Sequence, residues 1–160
     1  MKVKVELKNF ALDTALQEPI AVMKESGGER ILHLPLNAFD LPKILSLHYK
    51  VREDKHDLLH IIHRMHNSNL VKLLKIRIFY KNGLSCIVTY RVLFLFSRKF
   101  LLNTSEALLL SLVTEVPIYV SDNVFHAIKH DQQKLSPYDA VKFKEVLEKW
   151  DPGKADANIQ

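Results

Sequence analysis

One cysteine, four glycines and six prolines are all that this chain of 160 residues carries of those types, and each shortage excludes something. The lone Cys86 rules out an internal disulfide and fits a reducing compartment. It lies within an apolar strand pattern, where a buried core thiol is the ordinary reading ahead of a nucleophile. So few glycines and prolines leave no room for long flexible linkers. Long hydrophobic runs are missing too. The longest, Val92 to Phe96, falls far short of the roughly 20 residues a membrane helix needs. The Lys-Val alternation at the N-terminus is not the apolar region of a secretion signal. A cytoplasmic protein with no membrane partner is the expectation. There is also no glycine-rich phosphate loop, zinc-finger spacing or nucleophile elbow, which removes several enzyme classes.

What is present suits one globular domain. The chain is 48% hydrophobic and 26% charged, with a net charge of +5. That excess allows an anionic partner such as nucleic acid without demanding one. Val3, Val5 and Leu7 alternate with Lys2, Lys4, Glu6 and Lys8, the period of a half-buried strand. Two further strands, Pro19–Lys24 and Arg30–Leu36, flank a Gly27-Gly28 hairpin. Asp40-Leu41-Pro42 reads as a helix start, because proline is tolerated in the first turn; that helix runs to about Tyr49. A second helix begins near Asp54, with Leu58, Leu59, Ile61, Ile62 and Met65 as its apolar face. Leu74 to Tyr80 and Ser85 to about Phe96 are strands joined by the Asn82-Gly83 turn. Loss of alternation over Val92–Phe96 suggests burial on both faces there, and Ser97-Arg98-Lys99 a turn. A hydroxyl-capped helix over 105–114, the strand Pro117-Ile118-Tyr119-Val120 and a helix after Ser121-Asp122-Asn123 follow. A last helix over 137–149 precedes a flexible tail at 151–160. The expected fold is α+β: a mixed sheet of about six strands under three or four helices, with residues 131–150 as a helical extension of a 1–130 domain.

Three groups of side chains carry possible chemistry. His56, His60, His63 and His66 crowd one helix, and the first three share an arc that could hold a transition metal or be a solvated polar face. Lys75, Arg77 and Lys81 with Phe79 among them could grip single-stranded nucleic acid, or be an ordinary wet sheet face. Asp40, Asp57, Glu106 and Asp122 fall at helix starts. There they either suit the helix dipole or, where they converge, could hold a divalent cation for phosphodiester hydrolysis.

Two segments resemble a known family. Arg52-Glu53-Asp54-Lys55-His56-Asp57-Leu58-Leu59 is similar to its Arg-Pro-x-Thr-His-Asp-Leu segment. Thr104-Ser105-Glu106-Ala107, followed by Pro117-Ile118-Tyr119-Val120, is similar to its Arg-Pro-Ser-Asp-Ala helix and Pro-Ile-Tyr-Val strand. Over residues 1–130 the chain resembles the bacterial bifunctional nuclease domain family. The resemblance implies a nuclease acting on DNA and RNA with a divalent cation, magnesium or manganese. By position it implies Asp40, Asp57 and Glu106 as metal or water ligands and His56 as general acid/base. Arg52 and Ser105 would contact the substrate. The chain also departs from the pattern. Leu101-Leu102-Asn103-Thr104 stands where the family has Asp-Ala-Arg-Pro, and Glu115 where it has glycine. Loss of that acid and guanidinium favours the alternative implication, a catalytically lapsed binding or regulatory module, for which a homo-oligomer is one form.

Overall fold

Alternating lysine and valine at the N-terminus builds the first strand, β1 (Lys2–Asp13), with Val3 and Val5 buried and the lysines outside. The structure is a computed structural model that describes residues 1–13, 18–50, 58–68 and 70–128. Arg52, His56 and Asp57, and the sequence-expected helix over 137–149, lie outside the described residues. After β1 come β2 (Glu18–Glu25), β3 (Ile31–Pro35), α1 (Leu41–Tyr49), α2 (Leu58–Asn67) and β4 (Val71–Tyr80). Then follow β5 (Leu84–Val92), β6 (Phe96–Leu102), α3 (Thr104–Thr114), β7 (Ile118–Ser121) and α4 (Asp122–Ile128).

The fold is α+β: a mixed seven-stranded sheet in the order β3-β2-β1-β7-β4-β5-β6, with four helices among the described residues. Only β4 and β7 pair in parallel; every other neighbour is antiparallel. Register defines the faces. Val5, Ile118 and Ile76 lie side by side, as do Val3, Val120 and Ile78, and both rows are buried. Ile44 and Leu45 of α1, Ala107 and Leu108 of α3, and Val124 and Phe125 of α4 pack into the same cluster. These helices therefore share one side of the sheet, and no described helix contributes to a core on the other side. Cys86 is buried in that cluster, and desolvation raises its thiol pKa to about 12, so it is an inert core group.

Two sequence expectations need correction. The seventh strand arises where a doubly buried strand end and a turn were expected. β5 stops at Val92, the chain reverses over 93–95, and Ser97-Arg98-Lys99 is the middle of β6 rather than a turn. Lost alternation there marks a reversal, with Leu93 (φ 48°) and Phe94 (φ 63°) in the left-handed region, and its side chains are exposed. The second correction is the facing of α2. Leu58, Ile61 and Met65 are exposed, whereas Leu59, Ile62, His63 and His66 are only half-exposed, and Ile62 packs on the core. Positions 59, 62, 63 and 66 form one helical stripe, so the histidines turn inward with Ile62. Each imidazole finds a backbone partner. His63 Nδ1 lies 2.7 Å from the Val113 carbonyl, and His66 Nδ1 accepts the Leu73 N–H at 3.0 Å. Burial, with Lys72 and His63 nearby, lowers the His66 pKa and keeps it the neutral acceptor this bond needs.

Candidate functional site

The start of α3 shows how local chemistry assembles one corner. Asn103, not a hydroxyl residue, is the cap: its side chain accepts the Glu106 N–H at 2.8 Å, while Glu106 Oε2 accepts the Asn103 N–H at 2.9 Å. This reciprocal pair is a capping box. It frees the Thr104 and Ser105 hydroxyls for tertiary work. Thr104 Oγ1 donates to the Pro35 carbonyl, and Ser105 Oγ, 1% exposed as a residue, accepts the Asn37 N–H at 2.7 Å. The two bonds tie α3 to the end of β3 and to the loop that follows it, 69 and 68 residues earlier in the chain.

That loop ends at Asp40. Asn37 folds it by accepting the Phe39 N–H on its side chain and the Asp40 N–H on its carbonyl. Asp40 precedes α1 and makes no side-chain capping bond, so the carboxylate is not consumed by the helix it starts. Phe39 beside it is 93% exposed. The fold thus sets the loop that ends at Asp40 against Ser105, beside Glu106 in the first turn of α3. Arg52, His56 and Asp57 lie outside the described residues. Among the described residues, no three His, Cys, Asp or Glu side chains are grouped to hold a metal ion. Asp40 and Glu106 are oxygen donors of the kind magnesium or manganese takes. One Glu106 oxygen already serves the cap, which leaves the other for a cation. Asp122 sits elsewhere: with Glu25 it brackets Arg30, whose guanidinium bonds lie at 2.6 Å and 2.8 Å. These bonds lower both carboxyl pKa values, and the ring of Phe125 stacks against the same guanidinium.

A second feature occupies the opposite side of the sheet. Pairing puts Lys4, Tyr119, Arg77, Ile87 and Leu101 in one row across five strands, with Lys75, Thr89 and Lys99 in a row beside it. Lys2 and Lys8 lie on the same face of β1, and Glu6 between Lys4 and Lys8 contacts both at 3.7 Å and 3.6 Å. The Ser26 hydroxyl first, and then these lysines, hold the Glu6 carboxyl below its usual range. Arg77 lies 5.6 Å from the Phe79 ring, and its Nε is buried with no hydrogen-bond partner. Such an orphan donor calls for an explanation. Lys81 instead falls in the turn after β4. The sequence pattern found Lys75, Arg77 and Phe79 but missed Lys4 and Tyr119, which only strand pairing places beside them. Phe39 was missed as well; an aromatic in a polar loop next to the Asp40 helix start was the available signal.

Protein-family models scanned against the chain give no match, and no curated protein matches it.

Proposed function

We infer that this chain is a nuclease-family protein that hydrolyses phosphodiester bonds of DNA or RNA with the help of a divalent cation. The observation that carries this reading is the corner. Ser105, next to Glu106 in the first turn of α3, is hydrogen-bonded to the backbone of the distant loop that ends at Asp40. The helix dipoles at the starts of α1 and α3 favour negative charge. Phosphoryl transfer rests mainly on such positioned charge. In this reading Asp40, Asp57 and Glu106 hold the cation, which would activate water and neutralise developing charge. His56 moves the proton, while Arg52 holds the phosphate. Ser105 acts through position: its hydroxyl holds the 37–40 loop against α3.

The test is incubation of the purified chain with single- and double-stranded DNA and RNA, with magnesium, manganese or chelator. Metal-dependent cleavage is expected, and it should fall at least about 100-fold in His56→Ala. Cleavage surviving undiminished in His56→Ala plus Glu106→Ala would defeat the assignment.

A second reading, a binding module without hydrolysis, is favoured by a separate observation. Glu106 is tied into its capping box, and the sheet face that no described helix covers gathers cations around Tyr119 and Phe79. Phosphate contacts plus stacking on aromatic rings hold single strands in this way. Salt-sensitive binding that weakens in Arg77→Ala plus Tyr119→Ala, without any cleavage by the parent chain, would select this reading.

A further inference from the structure

β6 closes one end of the sheet, and among the described residues nothing pairs with its outer edge. Edges of this kind are templates for another strand. The hairpin it forms with β5 carries Leu93, Phe94, Leu95, Phe96, Phe100 and Leu101, each between 56% and 76% exposed. Leu93 and Phe94 also occupy left-handed backbone, where turns ordinarily use glycine or asparagine. Bulky apolar residues held in a costly conformation and left in water point to a contact that needs them.

We propose that β6 pairs antiparallel with β6 of a second copy of this chain, about a two-fold axis at Phe100. Area is the first argument. The six side chains offer about 700 Å² per copy, close to the roughly 800 Å² each partner buries in a standard interface. The second argument is register. A two-fold axis perpendicular to the sheet keeps each face on its own side, so it must be centred on a residue. Centring on Arg98 or Lys99 sets a cation against its own copy, which is destabilising. Centring on Phe100 sets Phe100 against Phe100, Lys99 against Leu101 and Arg98 against Leu102, and no cations oppose. Phe100 already stacks on Tyr90 of β5 with ring centroids 5.3 Å apart, so the pairing extends an aromatic ladder. It also places the 93–96 hairpin tip of each copy beside the partner's α3 start, and joins the two basic faces into one.

Sedimentation and crosslinking of the full chain test this. A dimer is expected with the protein at roughly tens of micromolar, since the patch is near the size of a standard interface. Phe100→Glu, which opposes two carboxylates, should weaken it by about 100-fold or more. Leu101→Glu is the register test: it lands opposite the partner's Lys99, so the dimer should persist. A merely greasy patch would lose affinity in both variants. Phe100→Cys should form a disulfide-linked dimer, since directly opposed Cα atoms lie about 4.5–5.5 Å apart. Ser97→Cys, far from the axis, should not. A monomer throughout, or a dimer indifferent to Phe100→Glu, overturns the proposal. So would a monomer with exchange-protected β6 amides, which assigns the edge to residues 129–160. Co-sedimentation of a monomer with phosphatidylserine vesicles would overturn it too, assigning the tip to anionic lipid.

Discussion

At the residue scale, Glu115 shows what a single backbone angle costs. It ends α3 at φ 57°, a left-handed position that glycine occupies without a Cβ penalty. A glutamate carries that penalty, so Glu115 is a point of local strain. Glu115→Gly should therefore stabilise the fold by up to about 1 kcal/mol, after the added freedom of the unfolded chain is counted. Urea denaturation should show a higher midpoint at an unchanged slope. The candidate catalytic residues are read at the same scale. The sequence supplied their identities through motif resemblance, and it suggested a hydroxyl cap for α3. Asn103 won the cap because its side chain reaches the Glu106 N–H while Glu106 reaches back. Ser105 was thereby released to the Asn37 backbone, a partner that sequence spacing does not reveal.

At the element scale, α2 is the instructive case. Counting apolar residues put Leu58, Ile61 and Met65 on the buried face, yet they face outward. Half-buried histidines with satisfied nitrogens can share an inward stripe, so hydrophobicity alone did not set the rotation. Leu58→Ser and Ile61→Ser should each change stability by less than about 0.5 kcal/mol. Ile62→Ala, by contrast, should cost about 1–3 kcal/mol, reduced from a fully buried site because Ile62 is only partly buried. Parallel melts of the three variants check the rotation directly; equal losses would reverse it. The hairpin tip teaches a related lesson. An apolar run without alternation was read as a doubly buried strand, but the chain reverses inside it and leaves it exposed.

At the scale of the whole molecule, Arg30 ties the β2–β3 hairpin to α4, which follows it by ninety-odd residues, through Glu25 and Asp122. The guanidinium holds both carboxyls below their usual pKa values. Depressed folded-state values mean a stabilising contribution that is present above the ordinary carboxylate range and is lost as pH falls through the folded values. Denaturation midpoints should thus drop below about pH 4, and Arg30→Met should flatten that part of the profile. The pair is partly exposed, so added salt should shrink the difference.

Local patterning by itself determined most of the elements. Lys-Val alternation, the Gly27-Gly28 and Asn82-Gly83 turns, Pro42 in the first turn of α1 and the α3–β7–α4 succession are all written within a few neighbouring residues. The reason is that hydrogen bonding and steric limits act over one or two turns of chain. Tertiary structure alone decided which distant groups meet: the order of the seven strands, the Lys4–Tyr119–Arg77 row, the inward histidines of α2, and the joining of Asn37 with Ser105. Those outcomes depend on how whole faces compete for burial and on which strands pair across the sheet, and no short stretch of residues encodes that competition.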